Sequence, residues 1–422
     1  MISTLRNAWK IPDLRKRMLY TLLMIVVFRL GTFIPVPGLN ADVLRSLVEA
    51  NDNNLFALFD SFSGGSFSNA TIFAMSITPY INSSIILQLL TVAIPALERL
   101  AKEGEEGRKV IAKWTRYVTV ILAFIQATGL YFGLRGAVEN PGFVSYVVVV
   151  LTFTAGTAFL MWLGEQITEK GVGNGISMII FAGIVSNVPS MIYNVYQNFI
   201  NGAINIWGVI GIAIFAVAMV AFVVFITDAE RRIPVQYAKR MVGRKMYGGQ
   251  STHIPIKVAM AGVIPIIFAM SILAFPSTIM SFTGGMPTTG FWGSFWRQVT
   301  SGWVYIVLYF MLILFFTYFY TAIQFNPIEI ANNMKRNGGS IPGIRSGKPT
   351  SDYISKILTR ITLAGAIFLA IVACVPMVLG QVVGFNISIG GTSLLIMVGV
   401  ALETVKQIES QMLMRHYKGF LD

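Results

Sequence analysis

The residues with the widest chemical range are scarce here. The chain has two histidines, His253 and His416, both in polar stretches, and one cysteine, Cys374, inside an apolar run. A single cysteine forbids an internal disulfide and leaves redox chemistry without a partner thiol. No His/Cys cluster has metal-ligand spacing. Gly343-Ile344-Arg345-Ser346-Gly347-Lys348-Pro349 looks loosely like a phosphate loop, but it lacks the four-residue gap and the Ser or Thr after the lysine. Gly171-Val172-Gly173-Asn174-Gly175 has alternating glycines before an apolar run but no strand ahead of it, so it reads as a loop. There is no G-x-S-x-G nucleophile elbow. An enzyme is poorly supported, and no cofactor and no metal are expected. Ion-coupled transport fares little better. Ionisable groups within a membrane normally mark ion or proton paths, yet no apolar run carries a central Asp, Glu or His. Arg29 is the one clear charge inside a run. It costs at least ~2.5 kcal/mol there unless paired or wet, and it reads as an arginine capped by carbonyls and polar side chains. A carbonyl-based sodium site stays open, so a small-solute transporter is the competing class.

The chemistry that is abundant is cationic, and it sits on an apolar scaffold. Of 422 residues, 55% are hydrophobic and 12% charged, with 32 Lys and Arg against 19 Asp and Glu. Soluble proteins carry about a quarter charged residues, and disorder needs low hydrophobicity. Crossing ~30 Å of hydrocarbon takes about 20 apolar residues in a helix. Ten stretches qualify: Met18–Ile34, Met75–Leu97, Trp114–Leu134, Phe143–Leu163, Ile176–Tyr196, Ile206–Ile226, Val258–Ile279, Val304–Ile323, Ile361–Leu379 and Thr392–Ile408. The second is semi-polar (Pro79, Asn82, Ser83, Ser84, Gln88), and the last has the shortest apolar core.

Ten spans put both termini on one side. All the Lys and Arg except Arg29, Arg45, Arg135 and Arg297 fall in the two termini and in the loops after spans 2, 4, 6 and 8. Positive charge marks the cytoplasmic face, so both termini are expected there. Span 1 ends in Phe33-Ile34-Pro35-Val36-Pro37-Gly38 without a cleavage site, so no removable signal peptide is expected. Residues 1–17 read either as an amphipathic segment on the inner interface anchored by Trp9 or as a frayed basic tail.

Three segments do not suit a plain bundle. Leu55–Met75 is rich in Phe and Leu but broken by Asp60, Ser63, Gly64, Gly65, Ser66, Ser68 and Asn69. Lipid cannot satisfy a broken backbone. The stretch is therefore a short re-entrant element inside protein or a wet cavity, or else a surface loop. The loops at 227–257 and 324–356 are long and basic. The first is hairpin-like around Gly248-Gly249, and the second is punctuated by Pro and Gly. Loops of this length are usually functional.

The motifs together resemble the bacterial SecY family, the channel subunits of the Sec protein translocase, over essentially the whole chain. They are Phe28-Arg-Leu-Gly-Thr-Phe-Ile-Pro-Val-Pro-Gly38, Pro79-Tyr-Ile-Asn-Ser-Ser-Ile-Ile-Leu-Gln-Leu-Leu90, Lys102-Glu-Gly-Glu-Glu-Gly-Arg108, Gly171-Val-Gly-Asn-Gly-Ile-Ser177, Tyr237-Ala-Lys-Arg240, Gln250-Ser-Thr-His-Ile-Pro-Ile-Lys257, Ala261-Gly-Val-Ile-Pro265 and Pro342-Gly-Ile-Arg-Ser-Gly-Lys348.

The resemblance implies an all-α polytopic membrane protein: ten transmembrane helices in two pseudo-symmetric five-helix halves, a clamshell around an hourglass pore, with a re-entrant plug helix. The implied parts are a cytoplasmic N-terminus (1–17), an N-terminal half (18–200, with the plug at about 55–75), a C-terminal half (201–410) and a cytoplasmic tail (411–422). The implied function is a protein-conducting channel, not an enzyme. It would pass unfolded secretory polypeptides across the bacterial cytoplasmic membrane and release membrane spans sideways into lipid.

The pore ring would be Ile81, Ile85, Ile176, Ile180, Ile267 and Ile396, with Leu394 and Leu395 as alternatives at the last position. Aliphatic rings dewet and seal a narrow pore. The plug would include Phe62, Gly64, Gly65 and Phe67. The lateral gate would include Asn82, Ser84, Gln88, Pro265 and Pro276, with the prolines bending span 7. Arg240, Arg244, Lys245, Arg345 and Lys348 would dock a ribosome or a SecA-like motor ATPase through phosphates or acidic groups. SecE-like and SecG-like small subunits, signal peptides, nascent chains and lipids complete the implied partners.

Overall fold

The structure is a computed structural model. It describes residues 2–49, 60, 63–202, 204–237, 240–242, 245–247, 251–282, 298, 302–383 and 391–418. The helices among these are α1 (Ile2–Lys10), α2 (Pro12–Gly31), α3 (Ala41–Glu49), α4 (Thr78–Ala93), α5 (Pro95–Lys102), α6 (Glu105–Gly133), α7 (Phe143–Lys170), α8 (Gly175–Ile200), α9 (Ile206–Asp228), α10 (Ile264–Phe282), α11 (Trp303–Gln324), α12 (Pro327–Arg336), α13 (Lys348–Val383) and α14 (Gly391–Lys418). Five strands stand between them: β1 (Glu230–Tyr237), β2 (Arg240–Val242), β3 (Lys245–Tyr247), β4 (Ser251–Lys257) and β5 (Gly339–Ser340).

Nine of the ten apolar stretches each overlap one helix, and Met75–Leu97 is split between α4 and α5. Six of the described helices are long and apolar enough to cross a membrane, or seven if the pair α4 and α5, bent by 102°, counts as one. Large apolar side chains on these helices stay exposed, among them Val217, Phe225 and Val307. In a protein this apolar, such surface is the face offered to lipid. The chain is thus an all-α polytopic membrane protein with a small added sheet.

Local signals explain the element ends. Asn174 caps α8, its side chain accepting hydrogen bonds from the amides of Ile176 and Ser177. Asn326 caps α12 in the same way, followed by Pro327 in the first turn. Helix α10 begins at Ile264, so Pro265 falls in its first turn. There a proline has no helical bond to lose, and it starts the helix instead of bending it. Pro276 lies inside α10 and does remove a ladder bond.

Contacts divide the chain into two units. The first comprises Met1–Gly211, Met270–Tyr305 and Ile396–Asp422. In it α6 packs on α4 and α7, α7 on α2 and α8, and α1 on α2. An ion pair joins Arg116 Nε on α6 to Glu165 Oε1 on α7 at 2.6 Å. Thr21 of α2 ties in the loop ahead of α8. Its buried hydroxyl donates to the Arg17 carbonyl at 3.0 Å and accepts from the Val172 amide at 2.9 Å.

The second unit comprises Ile212–Ala269 and Ile306–Leu395. Edge-to-face pairs Phe222–Phe368 and Phe268–Phe316 pack its helices. Its sheet joins the two long loops. β1 and β4 pair antiparallel from Glu230↔Lys257 to Gln236↔Ser251, while Gly248-Gly249, where the hairpin was expected, lie outside the described residues. The short β5, from the other loop, adds to the far edge of β1 through Gln236↔Ser340 and Tyr237↔Gly339. β1 alternates, with Ile233 and Val235 buried. They form one cluster with Ile256 of β4, Met334 of α12, Ile341 just past β5, and Ile354 and Leu358 of α13. Two loops that read as separate are one module on a shared core.

Candidate functional site: plug, channel lining and basic loops

Of the proposed plug, Phe62 lies outside the described residues. Asp60 and Ser63 are helical, and from Gly64 to Ile77 the chain is a succession of tight turns. The sequence dictates this: Ser, Gly and Asn favour side-chain-to-backbone bonds over a helical ladder. Ser66 Oγ donates to the Ser63 carbonyl at 2.7 Å, the Ser68 amide to Asp60 Oδ1 at 2.8 Å, and Asn69 Nδ2 to the Gly65 carbonyl at 2.8 Å.

The later part of the segment is firmly held. Backbone bonds run from the Val36 amide to the Ala70 carbonyl at 2.8 Å and from the Ile72 amide to the Ile34 carbonyl at 3.0 Å. Phe67, fully buried, packs in a core with Leu44 of α3, Ala127 and Leu130 of α6, and Val149 and Phe153 of α7. The ring of Phe73 stacks between Phe28 and Phe159, 6.0 Å from each. A Cβ on Gly156 would fall 2.0 Å from the Ile72 carbonyl, so α7 approaches this segment too closely for any side chain there.

The earlier part is held differently. Gly64 has φ +68 and rests against α8, where a Cβ would lie 2.5 Å from Ser186 Oγ and 3.1 Å from the Gly183 Cα. Both facts require glycine. Arg29 Nη1 donates to the Gly64 carbonyl at 3.0 Å, and its guanidinium carbon lies 4.9 Å from the centre of the Phe33 ring. The expected carbonyl cap on Arg29 is thus present. Its depth differs from expectation: α2 ends at Gly31, which puts Arg29 in the last turn, where the negative end of the helix dipole favours a cation.

The aliphatic residues fall on four helices. Ile81 and Ile85 lie on α4, half-buried and buried; Ile176 and Ile180 lie on α8, half-buried and buried. Ile267 on α10 is half-buried, and Ile396 on α14 is buried, as are Leu394 and Leu395. The tip of Ile176 lies against α7, where its Cδ1 would meet a Cβ on Gly164 at 2.5 Å. Of the residues expected at a lateral gate, Asn82 and Ser84 are half-buried and Gln88 is exposed, while Pro265 is buried and Pro276 half-buried. Ser83 is buried and bonds the Pro79 carbonyl of its own helix at 2.8 Å, which removes it as a lining group.

In the first long loop, β2 and β3 form an inner antiparallel pair with Arg240 opposite Tyr247 and Val242 opposite Lys245. Arg244 lies outside the described residues. In the second loop Arg345 is exposed on the turn that follows buried Ile341. Its carbonyl accepts from Thr350 Oγ1 at 2.9 Å, and Gly347, at φ +105, lets the chain turn into α13. Lys348 is exposed at the start of α13. Arg240 and Lys245 thus stand on a separate two-stranded sheet, while Arg345 follows the shared core through Ile341.

The SecY family model matches residues 71–405. This chain belongs to the SecY family. Relatives called protein translocase subunit SecY match it along its whole length: 48% identical in Halalkalibacterium halodurans and 49% in Streptomyces galbus, each with 100% of both chains covered. The Thermotoga maritima relative is 44% identical, covering 100% of this chain and 98% of its own. Among solved structures, "The structure of a protein conducting channel" superposes with TM-score 0.67 at 18% identity, covering 96% of each chain. Sec61 in the canine ribosome–channel complex superposes with TM-score 0.64 at 17% identity, covering 96% of each chain. At these identities the structures attest the SecY fold.

Two features of the SecY chain went unseen in the sequence. One is helix α3, and the signal that could have found it is the cap at its start, where Asn40 Oδ1 accepts from the Asp42 amide. The two-residue strand β5 carries no periodic signal at all.

Proposed function

We propose that this SecY-family chain is the channel-forming subunit of a bacterial protein translocase. It passes unfolded secretory polypeptides across the cytoplasmic membrane and releases membrane spans laterally into lipid. The observation that carries the reading is full-length identity of 44–49% to relatives named as translocase subunits. The half-buried and buried isoleucines of α4 and α8, with Ile267 and Ile396, form the seal. Aliphatic walls offer no partner to water, ions or a passing peptide. Asn82, Ser84, Gln88, Pro265 and Pro276 border the lateral gate. The halves are 18–200 and 201–410, and both termini are cytoplasmic, where the basic loops meet partners.

The chain works as part of a complex. SecE-like and SecG-like subunits accompany it. A SecA-like motor or a ribosome supplies force and docks on Arg240, Arg244, Lys245, Arg345 and Lys348. A guanidinium matches phosphate and carboxylate geometry, and a ribosome presents phosphates in number. The test is deletion of residues 62–67, with ion conductance measured in planar bilayers in the presence of the companion subunits. A leaky membrane is expected. Tight membranes together with saturable small-solute uptake would make the protein a transporter instead.

A further inference from the structure

The plug segment is held by two unlike sets of contacts, and the difference has a mechanical meaning. From Ser66 to Ile77 the chain is built into the protein: Phe67 lies in the core of α3, α6 and α7, Phe73 is stacked between two rings, and two backbone bonds tie it to Ile34 and Val36. Releasing this part would expose several large side chains together. The stretch around Gly64 and Gly65 has no comparable anchor among the described residues. It touches α8 through a glycine, and Arg29 donates a long-range hydrogen bond to it.

We infer that Arg29 is the latch of the plug tip. Its guanidinium holds the Gly64 carbonyl against the Gly183–Ser186 step of α8, and opening begins by breaking that bond while residues 66–77 stay in place. The inference rests on the channel reading and adds to it the residue that sets the opening threshold. Three observations agree with it. A cation in the last turn of α2 is close enough to reach the tip without crossing lipid. Its acceptor is a backbone carbonyl, so the bond forms only when the tip is seated. The φ of +68 at Gly64 and the absence of room for a side chain make seating geometrically exact, so a bond of fixed length can report it. Arg45 adds a second tie, its Nη2 donating to Asn69 Oδ1 at 2.6 Å, but Asn69 belongs to the anchored part.

The experiment compares Arg29→Met and Arg29→Lys with the parent, each assembled with its companion subunits in planar bilayers. A hydrogen bond to a charged group contributes enough to shift an equilibrium about tenfold or more. Arg29→Met should therefore raise the open fraction of idle channels about tenfold, and Arg29→Lys should fall between it and the parent. A second measurement separates latching from folding. On the assembled complexes, amide hydrogen exchange in Arg29→Met should quicken at Gly65 while residues 66–77, α6 and α7 keep the parent's protection.

The latch is refuted if Arg29→Met is as tight as the parent while deletion of 62–67 leaks. It is refuted equally if exchange at Gly65 in Arg29→Met matches the parent, or if residues 66–77 lose their protection together with it. If the deletion itself gives no leak, the channel reading fails instead.

Discussion

Replacing Ile341 by Ala tests the joining of the two long loops without touching a basic residue. Ile341 is 3% exposed and packs with Ile233, Val235 and Ile256 of the sheet and with Met334, Ile354 and Leu358 of the flanking helices. Truncating a buried isoleucine to alanine costs about 2–5 kcal/mol, the spread depending on how far the cavity collapses. At about 1.4 kcal/mol per decade, local opening becomes roughly 30-fold to a few thousand-fold more frequent. The assay is amide hydrogen exchange on the assembled complex, read at β1, β4 and β5, where exchange follows the opening equilibrium when reclosing is fast. Faster exchange should appear in all three strands together, although the substitution lies in only one loop. Protection in α6 and α7 should not change. Motor-driven translocation should need more motor for half-maximal rate, because the turn that carries Arg345 follows Ile341 and loosens with it. If β1 and β4 keep their protection while only the residues around 341 lose theirs, the loops are not one cooperative module, and the shared core described above is wrong.

Other outcomes are expected elsewhere. Arg345→Glu should slow motor-driven translocation severalfold without changing the midpoint of thermal unfolding, since the side chain is exposed; a shifted midpoint would mean that it acts structurally. Phe73→Ala should destabilise the complex by about 3–5 kcal/mol in denaturant unfolding, because a fully buried ring stacked on two others is removed. Thr21→Val keeps the shape but leaves the Val172 amide without its acceptor, at a cost of about 1–3 kcal/mol, and exchange at Val172 should quicken.

The sequence was most readable where one signal ran long. Apolar runs placed the helices because lipid leaves no other way to satisfy the backbone, whereas the hairpin signal at Gly248-Gly249 found strands in this loop but not their partners, since β1 pairs with β4 and β2 with β3. The break at Ser63–Asn69 identified a non-spanning segment for the same physical reason. Features that depend on distant partners were hidden. The apolar run continues past the actual helix end at Gly31 to Ile34, so Arg29 read as a mid-span charge, when it belongs to a terminal turn that meets Gly64. Pro265 carries the same letter whether it bends a helix or begins one, and only the start of α10 decides. Gly339-Ser340 has no strand character of its own, so the link between the loops could be seen only once β1 was in place to receive it. Phe67 could be named as part of the plug, but its burial in the α3–α6–α7 core is tertiary information.

The pairing of β5 with β1 also sets a timetable. Ser340 lies 104 residues beyond Gln236. At about 5–20 residues per second of synthesis, the far edge of β1 waits roughly 5–20 s after β1 emerges before its partner exists. Throughout that interval β1 and β4 form a two-strand ribbon with an open edge, and Ile233, Val235 and Ile256 lack the α12 and α13 side chains that bury them. Open edges invite pairing with other chains, and β1 carries Pro234 and three charged residues, Glu230, Arg231 and Arg232, at its start. Those residues blunt the edge during the wait, so the composition of β1 suits the half-made protein as much as the finished one.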